Sequence, residues 1–189
     1  MSTRGAIALP NTTGKGWWGR YHHFDSYPTG LGAELFRLYH DTFDRDHEAM
    51  AQVLVKDHPA GWSTLIRSHS SRPFERDHFE HTGFRNLDDP DHDLYPQCYC
   101  HGRREETEQV LTCRCPVGPK RCDPVFIEWA YVITPVGLLA LTSWHPDSGA
   151  GQAFVHRPMA FVDWDRETEP DWKLVERRAH LIDVPNLTV

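Results

Sequence analysis

The sequence predicts an α+β fold with a mostly antiparallel sheet, one long or split helix and a cysteine-rich hairpin insert. Two pairs of apolar segments, each joined by a turn-forming stretch, are typical of β-hairpins. Between them, apolar residues recur at steps of three and four over residues 31–56, which indicates an amphipathic helix. All five cysteines lie within residues 98–122. At 189 residues the chain is expected to form a single domain, 1–189, that includes this insert.

The first hairpin is predicted near the start of the chain. GAIALP forms a short apolar strand, NTTGKG a turn, and WWGRYHHF a returning aromatic strand. Pro28 and the glycines that follow it end this strand, since proline fixes its own φ and glycine loosens the backbone. The helix that follows is expected to end before the Pro-Ala-Gly turn of residues 59–61. His58 and Trp62, which flank that turn, are interpreted as structural.

The second hairpin is predicted after the cysteines. PVFIEWAYVI and LLALTSW are apolar strands joined by a turn at TPVG, and AFVHRPMAFVDW is a further strand interrupted by proline. The segment DRETEPDWKLVERRAHLIDV is expected to form a short helix or a covering strand. The order hairpin, helix, cysteine-rich insert, hairpin, strand favours an α+β class with mostly antiparallel pairing.

Charge and hydropathy argue against some classes of partner. The chain carries 20 Lys and Arg against 27 Asp and Glu, which gives a formal net charge of −7. Nucleic acids and anionic membranes repel such a surface on average, so neither is expected as a main partner. No run approaches the ~20 apolar residues of a membrane span, and the start lacks the apolar stretch of a signal peptide. We therefore expect a cytoplasmic protein whose partner is a small-molecule ligand or another protein.

The cysteines are predicted to bind a structural zinc ion. They form two C-x-C pairs separated by twelve residues, followed by one more cysteine: Cys98, Cys100, Cys113, Cys115 and Cys122. In a hairpin whose turn centres on EETE, Cys98 would lie opposite Cys115 and the inner pair would likewise face each other. Four thiolates on one face suit tetrahedral Zn²⁺ and leave no position for water, so the zinc would be structural. A reducing cytosol disfavours disulfides.

Other interpretations of the cysteines remain open. Cys122 or His101 could replace one of the four ligands if the chain loops back. The usual zinc spacing is C-x₂-C rather than C-x-C. The same cysteines could instead form two cross-strand disulfides or remain free buried thiols.

The segment YHHFDSYPTGLG, residues 21–32, is the second candidate site. Thr29 and its glycines would lie at a helix N-terminus, where free N–H groups attract an anion. One of the two histidines beside Asp25 could form a proton-transfer pair, and Arg4 on the neighbouring strand could hold a carboxylate or phosphate. The predicted ligand-binding residues are Arg4, His22, Asp25, Tyr27, Thr29 and Gly30. The alternative is structural, with an Asx-type turn at Asp25 and Thr29 as a helix cap.

Two resemblances bear on this segment. TRGAIAL, HFDSYPTGLG, HPAGWSTL and EWAYVI, spread over residues 3–133, resemble a group of small bacterial and phage proteins. That resemblance implies a shared site around HFDSYPTGLG and no particular activity. The opening layout is similar to that of hydrolases with an N-terminal nucleophile, which implies an amide hydrolase in which Ser2 attacks and its own α-amine is the base. In that hydrolase Arg4 and Asp25 would position the substrate, and His23 is the catalytic candidate of the proton-transfer pair with Asp25; the candidate catalytic residues are thus Ser2, Arg4, His23 and Asp25.

A third class of function is a protein–protein interaction module. The chain has seven tryptophans, and exposed ones such as Trp17 and Trp18 could bind another protein. An exposed apolar patch without a concave pocket would favour this interpretation.

Overall fold

A mixed sheet packed against short helices forms the main body of the protein. The computed structural model describes residues 3–12, 16–65, 74–80, 82–85, 88, 95–101, 108–113, 127–144 and 155–178. The strands are β1 (Gly5–Pro10), β2 (Trp17–His22), β3 (Trp62–Thr64), β4 (Gln97–Cys98), β5 (Leu111–Cys113), β6 (Trp129–Thr134), β7 (Gly137–Trp144) and β8 (Val155–Asp163).

The strand order is β4-β3-β2-β1-β6-β7-β8, and β5 also pairs with β2. In the described part of the chain, β1 pairs with β6 and β2 with β3 in parallel, and the other pairs are antiparallel. Both predicted hairpins form, as β1–β2 and β6–β7. The α+β prediction is therefore confirmed at the level of a mixed sheet with a few short helices.

The predicted long helix is split. Its α-helical parts are α1 (Ala33–Arg37), flanked by the π-helical turns Pro28–Gly32 and Leu38–Thr42, and α2 (His47–Ala51), followed by the π-helical turn Gln52–Lys56. Asp44 and Arg45 turn the chain between them with φ of 51° and 63°. The Asp46 carboxylate then accepts hydrogen bonds from the N–H groups of Glu48 and Ala49, which caps α2.

Two further helical elements complete the described structure, a 3₁₀ turn at Arg76–Phe79 and α3 (Trp172–Arg178). None of the helices in the described ranges has both the length and the apolar character that crossing a bilayer requires.

The sheet buries apolar side chains on both faces. Leu31, Leu35 and Leu54 from the helical layer are fully buried in the larger cluster, together with Tyr131 of β6. The opposite face holds a smaller cluster that includes Ala8, Trp17, Cys113 and Val132. Side chains from β1, β2, β5, β6 and β7 pack together in this smaller cluster, which covers the second face of the sheet.

The tryptophans named as candidate partner contacts do not form an exposed pair. Trp17 is only 1% exposed and packs edge-to-face on His156. Trp18 is half-buried, with the Arg20 guanidinium 5.7 Å from its ring centre. The expectation of a binding surface built on Trp17 is therefore wrong, because that side chain fills the core on the second face of the sheet.

The Arg20 side chain connects β2 by hydrogen bonds to the helical layer and to residues 108 and 109. Its Nε donates to the carbonyl of Val55 at 2.7 Å, at the end of the helical layer. One terminal nitrogen donates to the carbonyl of Gln109 at 3.2 Å and the other to the Glu108 carboxylate at 3.0 Å. The Gln109 N–H in turn donates to the carbonyl of Pro59 at 3.0 Å. These bonds place the turn at residues 58–61 beside the sheet.

Candidate metal centre

Three potential metal ligands meet at the edge of the sheet. One ligand atom each from His58, Cys98 and Cys100 lies within 4.8 Å of the other two. His58 is 4% exposed and Cys98 fully buried, whereas Cys100 is partly exposed. Sulfur and imidazole nitrogen are the ligands that Zn²⁺ favours. The geometry therefore fits a metal site that is closed on its inner side and reached from outside near Cys100.

A tight turn brings His58 to the cysteines. The Gly61 N–H donates to the His58 carbonyl at 3.0 Å, and Gly61 has φ of +81°. A side chain at this position would also meet the carbonyl of Tyr21, 2.5 Å from the place of a Cβ. After the turn, Trp62 of β3 pairs with Cys98 of β4. The turn and this short strand pair thus set the histidine beside the cysteines.

The His58 imidazole is held by Trp62. The two ring centres are 4.2 Å apart, and the Trp62 indole N–H donates to the carbonyl of Leu54 at 2.9 Å, which fixes the indole. His58 Nδ1 is buried with no hydrogen-bond partner. An unpartnered buried nitrogen is costly. One ring nitrogen of His58 lies within 4.8 Å of both sulfurs.

Hydrogen-bond donors surround both sulfurs. Thr82 Oγ1 donates to Cys98 Sγ at 2.8 Å, and the Ala60 N–H donates to Cys100 Sγ at 3.2 Å. The hydrogen bond from Cys100 lowers the pKa of Cys98 well below its usual range, against the opposing effect of burial. The same bond, together with burial, raises the pKa of Cys100. One lowered and one raised pKa is the pattern expected of two adjacent thiols that share one proton.

His101 lies next to this group, although it is not part of the set whose ligand atoms all lie within 4.8 Å of one another. Its Nδ1 lies 3.3 Å from Cys98 Sγ, and its ring meets the His58 ring edge-to-face with centres 5.7 Å apart. The backbone at His101 is held because its carbonyl accepts a hydrogen bond from the Phe84 N–H at 3.1 Å. Its side chain is exposed, so it can close the outer side of the site. Two sulfurs and two imidazole nitrogens make a tetrahedral zinc set.

The structure brings together only some of the predicted metal ligands. Cys98 and Cys100 are free and lie in the cluster. Cys113 is disulfide-bonded and sits opposite Trp17 in the β2–β5 pair. Cys115 and Cys122 lie outside the described residues.

The predicted pairing of the cysteine segments with each other is corrected. In the described residues β4 pairs with β3 and β5 pairs with β2. An isolated two-stranded ribbon is marginal in water, whereas each short strand gains main-chain hydrogen bonds by joining the larger sheet. Cys100 therefore does not face Cys113 across a hairpin.

Sequence reasoning missed His58 as a ligand. It was assigned a structural role because it precedes a turn, and it lies 40 residues from Cys98. The run Cys-Tyr-Cys-His at residues 98–101 offers three metal ligands in four positions. Because this run already holds three possible ligands, one histidine from elsewhere in the chain could complete a four-ligand site in place of two more cysteines.

His22 is a structural histidine. It is fully buried, its Nδ1 is hydrogen-bonded to Ser26 Oγ at 2.8 Å, and its Nε2 accepts from the Leu65 N–H at 3.1 Å. Burial lowers its pKa to about 3, and the neighbouring His23 adds to the effect. Because both nitrogens are engaged inside the protein, His22 is not placed to contact a ligand.

The remaining residues of the polar segment bond mainly to one another. His23 Nδ1 is 2.6 Å from the Tyr21 hydroxyl. Asp25 is exposed, has φ of 53° and is hydrogen-bonded to the Tyr27 side chain. Thr29 donates to the Glu176 carboxylate at 2.9 Å. Arg4 is exposed, and Ser2 lies outside the described residues.

The backbone donors of this segment are also occupied. The Gly30 N–H donates to the carbonyl of Tyr27 at 2.9 Å, and the Leu31 N–H donates to the carbonyl of Asp25 at 3.0 Å. Of the N–H groups on which the anion prediction depended, that of Gly30 is therefore used by the chain itself. The structural alternative is also corrected, because the helical segment begins at Tyr27 without a side-chain cap and Thr29 bonds Glu176 instead.

A second group of possible ligands, Glu75, Asp77 and His78, lies on the surface. His78 Nδ1 accepts a hydrogen bond from the Glu75 N–H at 3.0 Å, which closes the start of the 3₁₀ turn. These side chains cap a turn and offer no buried ligand, so the His58 cluster is the better candidate.

Comparisons of the chain with family models, with curated proteins and with solved structures find no match. The resemblances to small bacterial and phage proteins and to hydrolases with an N-terminal nucleophile therefore stay predictions.

Proposed function

We propose that this chain is a zinc-binding protein in which His58, Cys98 and Cys100 hold a structural ion and His101 completes its coordination. One observation carries the proposal: two sulfurs and an imidazole nitrogen from separate stretches of chain lie within 4.8 Å of one another. Thr82 and the Ala60 N–H support it, because donors to thiolate sulfur are what orients and tunes metal ligands.

The ion would join two segments that the sheet holds only weakly. β4 has two residues and β3 has three, so few main-chain hydrogen bonds connect them. A metal bound by His58 on one side and Cys98 and Cys100 on the other would cross-link these segments. Its binding free energy would add to the stability of the folded state, since the unfolded chain has no preformed site. With four protein ligands there is no open position for water, which favours a structural role.

Metal analysis of the purified protein tests the proposal. Protein isolated without added zinc is expected to contain about one zinc per chain by plasma mass spectrometry, and Cys98→Ser is expected to lose most of it because a tetrahedral thiolate site needs each sulfur. The control is Cys113→Ser, at a buried cysteine that is disulfide-bonded and outside the cluster, which should keep its zinc even if it unfolds more easily. Much less than one zinc in the wild type, or equal zinc loss in both variants, would contradict the proposal.

A further inference from the structure

Cys98 and Cys100 are separated by one residue and are the free cysteines of the described chain. Their sulfurs belong to the group whose ligand atoms all lie within 4.8 Å of one another. We propose that this pair is a redox modification site, at which a hydroperoxide converts the two thiolates to a Cys98–Cys100 disulfide and releases the zinc. This inference rests on the proposed zinc site.

The local backbone allows this bond. Two residues of fully extended chain span at most about 7 Å, and disulfides join Cα atoms roughly 4.4–6.8 Å apart. The chain bends at Tyr99 and Cys100, so the fully extended span is an upper limit for the distance between the two Cα atoms. A disulfide around a single intervening residue closes a small ring, and strained rings of this kind are readily reduced again.

The two sulfurs differ in access. Cys98 is fully buried, whereas Cys100 is partly exposed and lies on the outer side of the cluster next to exposed His101. A small oxidant therefore meets Cys100 first, and Cys98 is the resolving cysteine behind it. This division of roles between an accessible and a sheltered thiol is what a reversible thiol switch requires.

The chemistry balances with a hydroperoxide as the oxidant. The Cys100 thiolate attacks the peroxide, an S–O bond forms, the O–O bond breaks, and the departing hydroxide or alkoxide takes a proton. The Cys98 thiolate then attacks the Cys100 sulfur, the S–S bond forms and hydroxide leaves, which also takes a proton. With hydrogen peroxide, two thiolates, one peroxide and two protons give one disulfide and two waters. The thiolates lose two electrons and the peroxide gains them.

Zinc is lost because its ligand set is halved. A disulfide sulfur is a poor zinc ligand, so the ion would keep only imidazole nitrogens from His58 and His101. The cross-link between the 58–61 turn and β4 then opens. A dithiol reductant would restore both thiolates, and zinc would bind again.

Peroxide treatment of the zinc-loaded protein tests the inference. The readouts are zinc release with a chromogenic chelator, thiol titration, and peptide mass spectrometry after alkylation. Hydrogen peroxide is expected to release about one zinc for every two thiols lost, to give a Cys98–Cys100 cross-linked peptide, and to be reversed by dithiothreitol with added zinc. Cys113→Ala is the control: it breaks a disulfide outside the cluster and keeps both reactive thiols. It should release the same amount of zinc per chain and give the same Cys98–Cys100 cross-linked peptide.

Failure of this inference can be told from failure of the zinc proposal. If the protein carries no zinc before peroxide is added, the proposed function fails at that step and the release claim fails with it. If zinc is present but stays bound while peroxide is consumed, only the redox inference is overturned. Zinc release with sulfinic acids in place of the Cys98–Cys100 disulfide would also overturn it.

Discussion

His22 and His58 are both buried histidines, but their ring nitrogens have different surroundings. Both nitrogens of His22 are hydrogen-bonded within the protein, to Ser26 and to the Leu65 N–H. His58 keeps an unpartnered Nδ1 and lies beside two thiols. The sequence shows only that each stands next to a turn. The difference in role depends largely on Leu65 for His22 and on Cys98 and Cys100 for His58, all 40 or more positions away, which local patterns cannot specify.

The low pKa of His22 predicts a loss of stability in acid. Its pKa is about 3 in the folded protein, against about 6.5 in an unfolded chain. Above pH 6.5 both states are neutral and the group has no effect. Between pH 6.5 and 3 the unfolded state binds a proton that the folded state refuses, so the free energy of unfolding falls by up to ~1.4 kcal/mol per pH unit.

His22→Gln should reduce the fall in the free energy of unfolding per pH unit, as measured by urea unfolding at pH 7, 6 and 5. His156 is also buried with a lowered pKa and remains in the variant, so the slope should decrease without vanishing. Identical slopes in wild type and variant would show that His22 does not titrate in this way.

The sequence predicts individual hairpins and helices better than it predicts how these elements pair with one another. The β1–β2 and β6–β7 hairpins are predicted because their apolar strands and turn residues are adjacent in the chain. The partners of β4 and β5 are not predicted, since such short strands join whichever sheet edge the rest of the fold presents. The split of the helix is marked by the cap at Asp46, yet the left-handed turn at Asp44 and Arg45 contains no glycine to reveal it.

Arg20 connects β2 by hydrogen bonds to the helical layer and to the segment that leads to β5. Arg20→Met should lower the free energy of unfolding by about 1–3 kcal/mol for each of the two carbonyls, of Val55 and Gln109, that lose their charged donor. Glu108→Gln is the matched control. Its carboxylate is 60% exposed, so its loss should cost at most about 1 kcal/mol.

Chemical denaturation of both variants measures these changes, and hydrogen exchange at the Gln109 amide should quicken only in Arg20→Met. If the two substitutions cost the same, the surface ion pair rather than the buried carbonyl bonds would be the stabilising contact.

At the scale of the whole molecule, the candidate metal centre links parts of the chain that are far apart in sequence. His58 follows the helical layer, whereas Cys98 and Cys100 come from the cysteine-rich insert. Of the candidate group, the sequence predicts Cys98 and Cys100 and names His101 only as a substitute. It misses His58 because the insert docks on β3 instead of closing on itself.

X-ray absorption at the zinc edge tests this account most directly, on protein purified without added metal. The proposed site predicts about two sulfurs at ~2.3 Å and two nitrogens at ~2.0–2.1 Å. His101→Ala should keep both sulfurs and lose one imidazole contribution. A shell of four sulfurs would contradict the ligand set described here and restore the four-cysteine hairpin, and an absent zinc edge would remove the metal centre altogether.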